Sequence, residues 1–139
     1  MTSTVSFIAD RLGIEPGMAV QELGWEEDCD PGVRTAVEER AGSELLDEET
    51  DTAVNVVLLW WREDDGDLTD ALTGALGPLS QNGVIWVFTP KTGRDGYVEP
   101  SDIAEAVATA GLSQTSAISV ADDWSGIRVV SPRTAKAKR

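Results

Sequence analysis

Apolar residues dominate one stretch of nine residues, Ala53–Trp61 (AVNVVLLWW), which only Asn55 interrupts. The run is too short to cross a membrane. It is also too continuous for a strand with one solvated face, so it predicts a strand buried on both faces in the middle of a parallel sheet. A second continuous run, Val84–Thr89, predicts another buried strand.

Elsewhere, apolar residues recur every three or four positions, which is the spacing of a helix with one buried face. Caps and breakers mark the ends of these segments, and Gln81–Gly83 predicts a turn after the third one. The predicted helices are Ser3–Leu12, a helix that Asp30-Pro31 opens and Gly42 ends, Leu68 to about Leu79 with Asp67 as its N-cap, and Asp102–Ala110 with Ser101 as its N-cap.

Shorter segments predict the remaining strands. Met18–Leu23 alternates loosely, and Thr115–Ala121 and Ile127–Ser131 flank the turn Asp122–Gly126 as a C-terminal hairpin. Ser43–Asp47 leaves two alternatives open, because only five residues separate it from Ala53 and a parallel crossover needs more. Either it is not a strand of the sheet, or it pairs antiparallel with its neighbour.

Alternating strands and helices indicate an α/β fold with helices on both faces of the sheet. We therefore predict a three-layer, Rossmann-like domain whose mostly parallel sheet has about five to six strands and a C-terminal antiparallel hairpin. The domain is expected to span residues 1–132. Residues 133–139 are expected to form a basic, disordered tail.

Charge and composition narrow the expected function. The net charge is −14 and, because four of the 11 basic residues lie after residue 132, residues 1–132 carry 7 basic against 25 acidic residues, or −18. Such a body repels nucleic acid and anionic lipid. The chain has no His and no visible signal or membrane segment, so we expect a cytoplasmic protein without catalytic residues. Its acidic clusters lack the spacing of a calcium loop, and no metal site is expected.

The single cysteine and one cluster of basic residues are the remaining candidates for chemistry or binding. Cys29, the single cysteine, has acidic neighbours and is expected to be an unreactive surface thiol. Lys91, Arg94 and Tyr97 lie in the loop Pro90–Pro100, and Arg62 follows the neighbouring buried strand. Together these four residues predict an anion- or partner-binding site. The alternative is charge compensation, in which Lys91 and Arg94 pair with the acids at positions 63–65.

Glu22-Leu23-Gly24-Trp25 combines an acidic residue with a glycine at the end of the first predicted strand. An acidic residue and a glycine loop end the first strand of class I S-adenosylmethionine-dependent methyltransferases in the same way. The chain resembles the strand pattern of that family in shortened form. The resemblance implies a cofactor site at Glu22, Gly24 and Trp25. The sequence departs from the family, since Trp25 and three acids follow Gly24 and one helix and strand are missing. No cofactor is therefore expected, with S-adenosylmethionine as the alternative.

Longer strings resemble a second family over nearly the whole chain. LGIEPG, VVLLWWRE, NGVIWVFTPKTGRDGYVEPSDI and DWSGIRVVSP are similar to the actinobacterial domain-of-unknown-function 3052 family. This resemblance implies a small cytoplasmic actinobacterial protein and supplies no activity.

The expected function is a non-catalytic protein-interaction or regulatory module on a degenerate Rossmann-like scaffold. The alternative is a small-molecule-binding protein, for S-adenosylmethionine or a nucleotide, or a residual methyltransferase-like enzyme. The expected partner is another protein, and the expected state is a monomer or a homodimer formed through the terminal edge strand.

Overall fold

A computed structural model describes residues 3–49 and 52–131. Within these residues, five strands form one sheet, and four α-helices cover it. The strands are β1 (Val20–Leu23), β2 (Val54–Trp60), β3 (Leu79–Pro90), β4 (Ser113–Ser119) and β5 (Trp124–Val130). The helices are α1 (Ser3–Leu12), α2 (Pro31–Ala41), α3 (Leu68–Ala75) and α4 (Pro100–Thr109). The predicted α/β, Rossmann-like class is confirmed.

The strand order is β1-β2-β3-β5-β4. Strands β1, β2 and β3 run parallel, whereas β5 lies antiparallel to both β3 and β4. The sheet is therefore mixed. The C-terminal hairpin is present, but β5 is inserted beside β3, so that of the two hairpin strands β4 alone lies at an edge of the sheet. Strand β2 is interior, as its unbroken apolar run predicts, although β3 occupies the middle of the sheet.

Two apolar clusters, one on each face, make the three layers. On one face α1 and α2 pack on Trp60, Trp86 and Phe88. On the other, α3 and α4 pack on Leu59, Trp61 and neighbouring strand residues. The adjacent Trp60 and Trp61 thus belong to opposite cores, as strand alternation requires.

Several predicted boundaries are wrong. Helix α3 ends at Ala75, because Gly77-Pro78 follows and proline provides no backbone donor to continue the helix. The predicted turn at residues 81–83 instead belongs to β3, which begins at Leu79. Helix α4 begins at Pro100 with Glu99 as its N-cap, so Ser101 lies inside the helix.

The C-terminal hairpin is also displaced from its predicted bounds. Strand β4 begins and ends two residues before the predicted Thr115–Ala121. Three residues of the predicted turn, Trp124–Gly126, belong to β5. The turn is shorter than expected because Trp124 is a buried residue of β5. Its carbonyl oxygen accepts hydrogen bonds from the N–H groups of Val120 and Ala121.

Ser43–Asp47 forms a single bridge rather than a strand. Leu46 pairs in parallel with Gln21, and its N–H donates to Val20 O at 2.8 Å while its carbonyl accepts from Glu22 N at 2.8 Å. The segment therefore covers the open edge of β1. The basic tail at residues 133–139 lies outside the described residues. Within the described ranges, no helix is long and apolar enough to span a bilayer.

Candidate functional site

The carboxyl end of β1 carries Glu22, the first predicted cofactor residue, and both of its carboxylate oxygens are in use. Oε1 accepts from Arg34 Nε at 3.0 Å and also pairs with Arg34 Nη2. Oε2 accepts from the indole Nε1 of Trp60 at 3.0 Å. Glu22 is buried, so these bonds offset the loss of hydration that burial imposes on its charge.

Gly24 and Trp25, the other two predicted cofactor residues, lie directly against β2. Gly24 has φ +79°, and a Cβ built there would overlap the carbonyl oxygen of Trp60. The Trp25 ring meets the Trp60 ring edge-on at 5.6 Å, and the Arg34 guanidinium lies over the Trp25 ring at 3.7 Å. Trp25 is consequently half-buried in the chain's own packing.

Arg62 follows β2, and its side chain bonds to the loop after β1 at the same end of the sheet. Its Nε and Nη2 donate to the two carboxylate oxygens of Asp28 at 2.9 and 2.7 Å, and Nη1 donates to Asp65 Oδ2 at 3.1 Å. The same Nη1 lies 3.3 Å from the carbonyl oxygen of Gly24. The hydrogen bonds and charge of Arg62 lower the pKa of Asp28 and, reciprocally, the Asp28 bonds raise the pKa of the guanidinium.

Cys29 is buried beneath this pair, which corrects the prediction of a surface thiol. Its sulfur accepts from Glu26 N at 3.3 Å and from Arg62 Nη2 at 3.0 Å. Burial raises the pKa of the thiol to about 11. The group is therefore protonated near neutral pH and is a poor nucleophile.

The four residues of the predicted anion site divide into two sets. Arg62 points to Asp28 and Asp65, as described above. Lys91 Nζ donates to Ser119 Oγ at 2.5 Å, and Arg94 Nη1 lies 3.3 Å from Asp123 Oδ1. The loop after β3 also contacts the segment that follows β2. The carbonyl oxygen of Gly96 accepts a hydrogen bond from Glu63 N at 3.0 Å, and Gly96 packs on Arg62 Cβ.

Tyr97, the fourth of these residues, is half-buried in the same loop. The compensating pair made by Arg94 is with Asp123 of the hairpin, rather than with the acids at positions 63–65. A weaker influence of Arg94 also reaches Asp28, whose pKa its charge helps to lower. The loop is thus bonded to both the hairpin and the turn after β2.

A cluster of three aromatic side chains at this end of the sheet does not follow from the sequence analysis. Trp60 lies 4.8 Å from Phe88 and 4.9 Å from Trp124, and Trp124 Nε1 donates to Asp28 O at 3.1 Å. Trp60 and Phe88 lie near the ends of two predicted buried strands, and the carboxyl ends of parallel strands meet at one sheet edge, whereas Trp124 lies in the predicted turn. No local pattern predicts that these aromatic side chains pack against one another at this end of the sheet.

Two grooves beside this edge are lined with carboxylates. One, of about 580 Å³, runs between α2 and the bridged segment along β1 and includes Glu26, Glu38, Glu44, Asp47 and Glu48. The other, of about 620 Å³, lies between α3 and α4 and includes four acidic side chains. Within residues 3–49 and 52–131, no group of acidic or cysteine side chains is arranged to hold a metal ion.

A model of the family described as "Protein of unknown function (DUF3052)" matches residues 9–133. The chain belongs to this family. Uncharacterised proteins of Mycobacterium tuberculosis strain H37Rv and of Mycobacterium bovis are each 53% identical to it over 131 residues, which is 94% of this chain and 82% of each relative. These relatives confirm the expected family, and their source fits its actinobacterial character.

Solved structures with a similar fold include several methyltransferases and a cyclase. The chain resembles an S-adenosylmethionine-dependent methyltransferase from Aquifex aeolicus with a TM-score of 0.58 at 13% identity, over 90% of this chain and 88% of that one. It resembles the mitomycin 7-O-methyltransferase MmcR with a TM-score of 0.64 at 13% identity, over 94% and 53%. The [4+2]-cyclase SpnF gives 0.57 at 9% identity, over 93% and 80%. At these identities the likeness establishes the fold alone.

Proposed function

We propose that this protein is a non-catalytic interaction or regulatory module on a methyltransferase-like scaffold, and that its partner is a basic protein. One observation carries the proposal: the chain's own side chains occupy the edge where the resemblance implies a cofactor. Both oxygens of Glu22 are bonded, Gly24 abuts the Trp60 carbonyl, and Trp25 packs between Arg34 and Trp60.

The charged groups at this edge also disfavour the carboxylate of S-adenosylmethionine. Glu26, Glu27 and Asp28 follow Trp25 directly, and their negative charges repel a ligand carboxylate. Arg62, the buried cation at this edge, already neutralises Asp28 and Asp65. A ligand carboxylate would therefore have to displace an internal bidentate pair.

The same charge favours a basic partner. The groove along β1 presents five exposed or half-buried carboxylates, and the Arg34 cation beside them is bonded to Glu22. A concave surface of one sign concentrates the field and speeds the encounter with an oppositely charged protein. Binding there should weaken steeply with added salt.

A thermal-shift titration tests the non-catalytic part. We expect no rise in melting temperature with millimolar S-adenosylmethionine or S-adenosylhomocysteine, whereas a ligand present at about 100 times its Kd would add about 2.7 kcal/mol. A methyltransferase titrated alongside controls for cofactor quality. A saturable shift that Glu22→Gln abolishes would overturn this part of the proposal.

Affinity capture of the full chain from extract tests the partner. A double charge reversal in the β1 groove, Glu44→Lys with Glu48→Lys, should abolish capture of a stoichiometric basic protein. The matched control reverses Asp102 and Glu105 on α4, which changes the net charge equally. Equal loss in both variants, or no stoichiometric partner, contradicts the proposal.

The alternative function is a small-molecule-binding protein or a residual methyltransferase-like enzyme. It is favoured by the position of Glu22 and Gly24 at the end of β1 and by the fold itself. The titration above separates the two functions, because only the alternative expects ligand-induced stabilisation.

A further inference from the structure

A third groove lies at the β4 edge of the sheet, beside α4 on the face that α3 and α4 cover, and it reaches Arg11 of α1. It has a volume of about 510 Å³ and is formed by the ends of β3, β4 and β5, the loop after β3, and the first turn of α4. Strand β4 is the sheet edge, and much of it is exposed. The groove therefore opens where the helical layer stops short of the edge.

Hydroxyl side chains form one row across this groove. Thr89 of β3 pairs in register with Ser125 of β5, and Ser125 pairs in register with Ser119 of β4. Directly opposed residues of antiparallel strands face the same side of the sheet. Thr89 is only 4% exposed, and no described residue hydrogen-bonds to its hydroxyl. The hydroxyl oxygen itself is not sealed from the groove that Thr89 lines, so it is available to a ligand.

Apolar side chains form the next row, one step along the strands. Ile127 of β5 pairs in register with Ala117 of β4, two residues from the hydroxyl row and so on the same face. Ile103 of α4 borders them. The groove thus has a polar end toward the carboxyl edge of the parallel strands and an apolar body beyond it.

The charge of this groove is opposite to that of the two acidic ones. Arg11 and Lys91 line it, and no carboxylate does, in a chain with 25 acidic residues. Lys91 reaches the hydroxyl row through its 2.5 Å bond to Ser119 Oγ, and it has no ion pair among the described residues. Its charge is therefore available to an anion.

We propose that this groove binds a small organic carboxylate with an apolar body. The carboxylate would contact Lys91 Nζ and the Thr89–Ser125–Ser119 hydroxyls, and the body would cover Ile127, Ala117 and Ile103. The volume lies within the usual range for small-molecule sites. Of the four residues predicted from sequence as an anion site, Lys91 and Tyr97 line this groove.

Octanoate is the probe for this site, with 1-octanol as its uncharged counterpart. We expect saturable octanoate binding by calorimetry, with amide shift changes centred on Thr89, Ser125 and Ile127 in NMR spectra. Lys91→Met should weaken binding at least about tenfold, which is the loss expected for one charge-assisted hydrogen bond. Octanol should bind more weakly than octanoate to the wild type and equally to both proteins.

Two further variants separate a local effect from a general one. Arg128→Met removes the same charge from β5, but residue 128 lies one position from Ile127 and so on the opposite face, and it should change affinity less than about twofold. Ala117→Trp fills the groove at an exposed position and should abolish binding. Failure of octanoate to bind, octanol binding as tightly, or equal effects of K91M and R128M would each overturn the proposal. None of these results bears on the S-adenosylmethionine titration.

Discussion

Arg62 and Asp28 form a bidentate ion pair that joins the end of β2 to the loop after β1. The two hydrogen bonds measure 2.9 and 2.7 Å, and Arg62 is 8% exposed while the Asp28 side chain remains half exposed. Asp65 and Gly24 O share the same guanidinium. One buried side chain therefore joins the loop after β1 to the turn after β2 across the edge of the sheet.

Replacement of this guanidinium should be costly. Arg62→Met keeps most of the buried stem and removes the bonds to Asp28, Asp65 and Gly24 O. Because Asp28 can recover hydration, we expect a loss of about 2–3 kcal/mol in the free energy of unfolding rather than the larger cost of a fully buried pair. Urea denaturation measures this value.

Arg128→Met is the matched control for that experiment. Arg128 is half-buried and donates to the exposed Thr115 hydroxyl at 2.9 Å. Its removal should change the free energy of unfolding by less than about 0.5 kcal/mol. Similar losses in the two variants would contradict a special role for Arg62.

The Asp28 carboxyl should contribute to stability in a defined pH range. Its pKa in the folded protein lies below its ordinary value of 3.8, mainly because Arg62 hydrogen-bonds to the ionised form. The contribution is therefore complete above pH 3.8 and is lost as the pH falls through the lower, folded value. Asp28→Asn should flatten this part of the acid-unfolding curve. Asp64→Asn, an exposed acid with no ion pair among the described residues, should leave the shape unchanged.

The Cys29 thiol should react slowly while the protein is folded. Its pKa of about 11 in place of 9.0 removes thiolate at pH 8, and burial blocks access. We expect alkylation by iodoacetamide to be at least about a hundredfold slower in the native protein than in urea. Because the folded value is the higher one, this group's stabilisation is complete below pH 9.0 and is lost as the pH rises through about 11. Comparable native and unfolded rates would contradict a buried thiol.

The elements that sequence predicts well are those whose signals are local. Strand β2 follows from a continuous apolar run. Helix α2 follows from its caps, since the Asp30 carboxylate accepts from Gly32 N at 2.8 Å and Gly42 adopts φ +85°. Helix α3 was predicted too long because Leu76 and Leu79 continue its apolar spacing, whereas Pro78 removes a backbone donor and Leu79 pairs with Val54 instead.

Relationships between distant segments could not be predicted in the same way. The spacing of β4 and β5 is the same whether the hairpin lies outside the sheet or, as here, places β5 beside β3. Asp28 and Arg62 are 34 residues apart, and the acidic loop around Asp28 gave no sign that one of its carboxylates would bind a buried arginine. The exposure of Cys29 was mispredicted for the same reason, since Arg62 and the packed loop cover it.

Gly24 provides the last test of how closely this edge is packed. Gly24→Ala meets two penalties, the positive φ of +79° and overlap of the new Cβ with the carbonyl oxygen of Trp60. Gly13→Ala meets only the first, because Gly13 has φ +75° and nothing lies within 4 Å of its Cβ position. We expect Gly13→Ala to lower the free energy of unfolding by about 1–2 kcal/mol and Gly24→Ala by at least about 3 kcal/mol. Urea denaturation of both variants measures the difference, which isolates the backbone contact between β1 and β2. Equal losses would mean that the loop after β1 can move away from Trp60, and that this edge is open enough to admit a ligand.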